Sequence, residues 1–167
     1  IKIEKKIVNE NIFVISLNTS PTIIDNLIDL RVACHPLRVM SDKTKFNKLN
    51  SPLVIPHSSF QKKLKKSINI KKKFYDYGIS IKNGNKISVK NKYCILPYPL
   101  AVGYAIAIAV AGKAKTIKLA GFDGYDRSDP DNDNTEELLR LFINDFFKKK
   151  LISFTKTKFS SLLYKRL

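Results

Sequence analysis

Two cysteines, Cys34 and Cys94, are too few and too far apart for a disulfide framework, and without a C-x-x-C spacing they outline no zinc site. A reducing, cytoplasmic setting is the expectation. Arginine is also sparse: of the 31 basic residues only Arg31, Arg38, Arg127, Arg140 and Arg166 are arginine. Lysine amid abundant isoleucine and asparagine reads as the codon bias of an AT-rich genome. A formal charge of +17 would otherwise suggest nucleic acid or an anionic membrane surface. The densest runs (Lys62, Lys63, Lys65, Lys66; Lys71 to Lys73; Lys148 to Lys150) carry no recognised nucleic-acid motif, so the reading goes against a nucleic-acid partner. Long hydrophobic runs are missing as well. The uncharged stretch 93–112 contains Pro97 and Pro99, and the part after Pro99 is too short for a transmembrane segment, so it reads as a buried helix. The single methionine, Met40, means that Ile1 is not a natural start, and a fragment of a longer chain is expected.

What is present suits one α/β domain over 1–167. With 44% hydrophobic residues among 167, the chain can bury one sizeable core. Ile12-Phe13-Val14-Ile15-Ser16-Leu17 is a continuous β-prone run of the kind covered on both faces in a parallel sheet. Arg31-Val32-Ala33-Cys34 and Pro52-Leu53-Val54-Ile55-Pro56 predict further short strands. Helices are expected at the chain start, over 22–27, from Ser41 or Asp42 to Leu49, and from Ser58-Ser59 through Lys66. Asn83-Gly84-Asn85 between 77–81 and 86–89 predicts a small antiparallel excursion with those two segments paired. Pro99 opens and Gly112 closes a helix of small apolar residues. A strand over 116–120 comes next, then an acidic loop 126–133, a helix over 135–149, a strand over 151–155 and a fraying tail after Lys156. The sum is a Rossmann-like, three-layer, mostly parallel sheet.

Chemistry is expected where buried strands end in polar or glycine-rich turns, since open α/β sheets bind ligands beyond the carboxyl ends of their strands. Asn18, Thr19 and Ser20 form one such exit and Gly121, Phe122, Asp123, Gly124 and Tyr125 the other. A glycine after a strand lets a ligand approach the backbone, and an aspartate two residues on can accept from ribose hydroxyls. The alternative for Asp123 is a turn cap. His35 and His57 each end a short strand; His35 is the candidate general base, although a histidine beside proline is often structural. Arg31 and Arg38 flank His35 and could fork onto a phosphate, or form surface salt bridges instead. Asp129, Asp131 and Asp133 imitate a calcium loop, but Asn134 stands where its glycine belongs. Helix capping is their expected use, with Mg²⁺ shared with a nucleotide diphosphate as the one cofactor the pattern admits.

The segment from Tyr98 to Tyr125 resembles the helix, strand and aspartate of Campylobacter-type bacterial sialyltransferases. It also resembles the related motility accessory factor and hydroxymethylpterin diphosphokinase-like proteins of unknown-function family 115. The stretch from Asn18 to Pro56 is similar to a domain fused behind HMG-CoA-lyase-like aldolases in bacterial surface-polysaccharide gene sets. The first resemblance implies that Asp123 and Asn18 belong to a nucleotide-sugar site. It also implies that an N-terminal strand and glycine-rich loop precede Ile1. Two departures stand out: Tyr98-Pro99-Leu100 replaces the family's Thr-Ser-Gly, and no histidine comes after Asp123 as its catalytic base.

Two functions therefore compete. One is a nucleotide-sugar-binding, glycosyltransferase-like domain of surface-glycan synthesis with Asp123 and His35 as the catalytic candidates. The other is a non-catalytic ligand-binding or assembly module, attached to an aldolase-type catalytic domain earlier in the same chain.

Overall fold

A computed structural model describes residues 2–19, 23–126, 128–147 and 150–165, which divide into two compact units. The first unit comprises Ile1–Ser80 with Lys92–Cys94, the second Ile81–Asn91 with Ile95–Leu167. No described helix is long and apolar enough to cross a membrane.

The first unit opens with α1 (Lys2–Glu10) and builds a parallel sheet from β1 (Ile15–Leu17), β2 (Leu30–Val32), β3 (Leu53–Ile55) and β4 (Phe74–Asp76). The strands are three residues each, and all of β3 is buried. Between β2 and β3 lie α2 (Pro36–Ser41) and α3 (Lys43–Lys48); between β3 and β4 lies α4 (Lys62–Ser67). Ala33, Val39, Phe46, Leu53, Ile55 and Phe60 form the buried cluster that joins these helices to the sheet. The connection after β1 is a single 3₁₀ turn, Asp25–Leu27, where a helix over 22–27 was expected; residues 20–22 lie outside the described residues.

The strand order is β1-β2-β3-β4, so the chain steps across the sheet in one direction. A Rossmann-like α/β layering is present, but within this sheet the order never reverses, and the crevice that a reversal opens is therefore not formed there.

Two local readings need correction. His35-Pro36 stops β2 as expected, yet Pro36 also starts α2, because proline's fixed φ and missing N–H suit the first helical position. Ser58 and Ser59 do not cap α4, whose preceding residue is Gln61. Ser58 binds Asp76 through both its N–H and its hydroxyl, and Ser59 Oγ accepts from Ile79 N–H at 2.9 Å.

A small sheet comes next, built from β5 (Gly78–Ile81), β6 (Ser88–Val89) and β7 (Tyr93–Leu96) in the order β5-β7-β6. The excursion exists, but β5 and β6 do not pair with each other: β7 sits between them. Gly78 N–H donates to Lys92 O and Lys82 N–H to Leu96 O, four residues further along both strands, which makes the β5 and β7 pair parallel. The Asn83-Gly84 turn thus leads to the far edge rather than closing a tight hairpin. β7 falls in a segment given no element by the sequence reading, whose helix opens at Pro99; Tyr93-Cys94-Ile95-Leu96 is β-prone, and Pro97 separates it from the helix beyond.

In the second unit α5 (Ala101–Ala111) is apolar nearly all round, as a buried helix is. It packs on α6 (Pro130–Phe142) so closely that a Cβ on Gly103 would run into the Leu138 side chain. β8 (Ile117–Leu119), β9 (Leu151–Ser153) and β10 (Leu163–Tyr164) form a parallel sheet in the order β10-β9-β8, again without a reversal. Much of the expected acidic loop is helix, because Asp129 accepts from Asp131 N–H at 2.9 Å and Pro130 occupies the first helical position. Past Phe142 the coil widens into a π turn over Ile143–Phe147. The tail does not fray through 165, since buried Phe159 and Leu162 anchor it and β10 adds to the sheet.

Candidate functional site

In a parallel sheet all carboxyl ends lie on one edge, so β1 to β4 present Asn18, Thr19, His35 and His57 along the same side of the first unit. Asn18 has φ 55°, the left-handed conformation that asparagine tolerates, and its N–H donates to Val32 O at 2.9 Å. The chain therefore turns sharply after β1, as its polar exit requires. Thr19 Oγ1 donates to Asp42 Oδ2 at 3.0 Å, and Arg38 Nε lies 3.9 Å from the same oxygen. Thr19 and Arg38 are thus brought together by Asp42, a residue read from the sequence only as a helix cap. Ser20 lies outside the described residues.

Arg31 is not a ligand grip. Its side chain is 1% exposed, and its guanidinium donates to Asp25 Oδ1 at 2.7 Å, Ser51 Oγ at 2.8 Å and the Asn18 carbonyl at 3.1 Å. Asp25 also accepts from Asn50 N–H and Ser51 Oγ. Burial alone would raise the Asp25 carboxyl, but these donors and the Arg31 charge outweigh it and hold the group at about 2. Lys72 Nζ closes the knot on the carbonyls of Leu49 and Ser51; burial lowers its pKa, aided by Arg31 and opposed by Asp25. This network ties β1, β2 and their connections, and it leaves Arg38 as the exposed arginine of the pair.

His35 is exposed at the start of α2 without a side-chain capping bond. His57 packs on aromatic rings instead, 5.2 Å from Phe74 and 6.5 Å from Phe60 between centroids. Both thiols are buried, and burial pushes Cys34 up to about 11 and Cys94 up to about 12, so neither is a thiolate nucleophile at neutral pH.

The second unit assembles its site from two loops after neighbouring parallel strands. Gly121 ends β8 with φ 76° and open space where a side chain would stand. Its N–H donates to Thr155 Oγ1, 3.1 Å away, just after β9. Phe122 is half-buried, and the Asp123 side chain is exposed while its carbonyl accepts from Lys158 N–H at 3.0 Å. Gly124 has φ 100°, and a Cβ there would come within 2.9 Å of Lys158 Cβ. Tyr125 sets its ring edge-on to Phe159 at 6.4 Å, and its carbonyl accepts from Lys158 Nζ at 3.3 Å. Burial first, and then the carboxylates of Asp131 and Asp129, raise the Tyr125 phenol and keep it protonated. Lys158 Nζ is also 3.7 Å from Asp126.

The five residues from Gly121 to Tyr125 are thus held on the second loop, Thr155-Lys156-Thr157-Lys158. Sequence reasoning passed over that loop because it came after the last expected strand. The signal was there: a polar, hydroxyl-rich exit from a buried strand is the same feature that singled out Asn18 to Ser20. Chemically the pair offers an accessible backbone at Gly121, one exposed carboxylate and lysine cations. Asp129 is used in capping α6, and among the described residues no three His, Cys, Asp or Glu side chains converge as a metal site. Compared with protein-family models, with curated proteins and with solved structures, the chain matches none.

Proposed function

We propose that this chain is a nucleotide-sugar-binding, glycosyltransferase-like α/β domain of bacterial surface-glycan synthesis, working in the cytoplasm, with its ligand seated on the Gly121 to Tyr125 loop. The observation that carries the reading is Gly121: a left-handed glycine, open to solvent, at the carboxyl end of a parallel strand and two residues before an exposed aspartate. A phosphate or ribose can approach backbone only where no side chain intervenes. Asp123 would accept from a ribose hydroxyl, and the lysines after β9 would balance the diphosphate. A Mg²⁺ ion brought in with that diphosphate needs only one or two protein carboxylates, and Asp123 fits that requirement. Catalysis in such a site is mainly positioning and stabilisation of the leaving phosphate.

The test is a thermal-shift and calorimetric screen of the chain against CMP, UDP, GDP, ATP and their sugars, with and without Mg²⁺. Selective binding by one nucleotide, weakened about 10- to 100-fold in Asp123→Ala with unchanged unliganded Tm, is expected for the loss of a charge-assisted hydrogen bond. Equal binding by the variant would remove Asp123 from the site.

A second reading is a non-catalytic ligand-binding module attached to an aldolase-type enzyme. It is favoured by the position of both histidines, His35 and His57, in the first unit, so that the loop unit carries no imidazole base of its own. Binding without turnover of any activated sugar would support it.

A further inference from the structure

The lysines of residues 43–73, scattered in the sequence, all fall in the first unit. From Lys43 to Lys73 there are ten lysines, while every Asp and Glu of the chain lies elsewhere. Codon bias accounts for lysine in place of arginine; it does not account for the exclusion of every acidic residue from this stretch. Phe46 on α3, Phe60 before α4, and Ile68 and Ile70 after α4 all pack with Leu53 and Ile55 of β3 in one apolar cluster. Leu53 and Ile55 are two residues apart and so point to the same face of the sheet. α3 and the segments on either side of α4 therefore cover one common face, and Lys71 N–H ties the segment after α4 to α3 by donating to Asn47 Oδ1 at 2.9 Å.

With the apolar sides turned inward, Lys43, Lys45, Lys48, Lys62, Lys63, Lys66, Lys71 and Lys73 stand exposed. Lys45 lies 3.5 Å from Asp42, and the two remaining lysines, Lys65 and Lys72, donate to backbone carbonyls. The result is a mainly positive surface carried by α3, α4 and the segment after them.

We infer that this face binds the phosphodiester backbone of double-stranded nucleic acid without reading its sequence, a function separate from the ligand loop of the second unit. Three features select that partner. Amphipathic helices that lie in a membrane surface add inserted apolar side chains to their charge, and no exposed large apolar side chain occurs among the described residues between Lys43 and Lys73. The planar arginine fork onto guanine is the sharpest base contact, and the stretch has no arginine. Single strands are held by bases stacked on exposed aromatic rings; within 43–73 Phe46 and Phe60 are buried and the half-buried His57 ring packs on Phe60 and Phe74. The remaining feature is a dense cation array, for which duplex, with its closely spaced phosphates, is the strongest partner.

The experiment is fluorescence anisotropy of the whole chain with a labelled 20-base-pair duplex, the matching single strand, and vesicles of one part phosphatidylserine to two of phosphatidylcholine, from 50 to 300 mM salt. Expected is duplex binding that is tighter than to single strand or vesicle, indifferent to sequence, and falls steeply with salt. The quadruple variant K43Q/K48Q/K62Q/K66Q should flatten the log K against log salt slope by about 3 to 4, near 0.9 for each phosphate no longer neutralised. The same four positions changed to arginine should retain binding. A control with the same net charge, K82Q/K86Q/K115Q/K165Q on exposed positions of the second unit, should bind like the parent. Equal weakening by both glutamine sets, tighter binding to single strand or vesicle, or no duplex binding at 50 mM salt would each overturn the inference.

Discussion

Removing the Asp25 carboxylate should cost more stability than its position in a short 3₁₀ turn suggests, because Arg31 depends on it. Arg31 is 1% exposed and Asp25 26%, so the guanidinium is held away from water by a partner that stays partly wet. Asp25 titrates at about 2 in the fold, against about 3.9 for a free aspartate. A depressed carboxylate stabilises the fold fully above its unfolded pKa, and the contribution fades as pH falls from about 4 through about 2. The gap is worth about 2 kcal/mol. Asp25→Asn, which keeps shape but not charge, should therefore cost about 2 kcal/mol at pH 7. Asp25→Ala, which strands a buried cation, should cost about 3 to 5 kcal/mol. Urea unfolding monitored by circular dichroism reads both. The double variant Asp25→Ala/Arg31→Met should recover at least half of the Asp25→Ala loss, since an apolar chain of similar length needs no counter-charge. On acidification to pH 2 the difference between parent and Asp25→Asn should close. If Asp25→Ala costs less than about 1 kcal/mol at pH 7, or if the gap to Asp25→Asn is independent of pH, the pair is not holding the first unit together as argued.

Other outcomes rest on the same kind of geometry. Gly103→Ala should destabilise the second unit by about 1 to 3 kcal/mol through overpacking against Leu138, visible as a lower urea midpoint, whereas a matched exposed change such as Ser80→Ala should not. Gly124→Ala combines a φ of 100° with a contact on Lys158, so it should shift the amide resonances of residues 155–159 as well as its own loop. Phe46→Ala empties the centre of the first unit's cluster and should cost about 3 to 5 kcal/mol by the same unfolding assay. Cys34 and Cys94, both buried and raised, should react with a thiol reagent at pH 8 only at the rate of unfolding; fast labelling of the native chain would contradict their burial.

Elements were legible wherever a short-range rule sufficed. β1, β3, β8 and β9 come from continuous β-prone runs, α5 from a proline start and glycine stop, and the glycine turn at Gly121 from its place after a strand. The left-handed Asn18 belongs with them, since its polar exit already marked a turn. Two of the misjudged elements are ones where two local rules compete. Pro36 both ends a strand and opens a helix, and Asp129-Pro130 is both an acidic turn and a helix start.

The site was half legible for a related reason. Its first loop announces itself through glycine and aspartate, whereas the partner loop acquires meaning only because β9 is the strand that lies beside β8. Arg31 shows the same divide. As a residue type it suits an anion, and only the register that sets β2 against β1 and β3 turns it inward onto Asp25 and Ser51.

The sequence by itself determined the α/β class, the strands β1, β2, β3, β8 and β9, the helix α5 and the turn after Gly121, because dihedral preference, apolar periodicity and capping act within a few residues. Tertiary structure alone decided that Arg31 is buried, that the Gly121 loop rests on Lys158, and that β7 separates β5 from β6. Those depend on strand order and register, which bring together residues far apart in the chain and which no local pattern encodes.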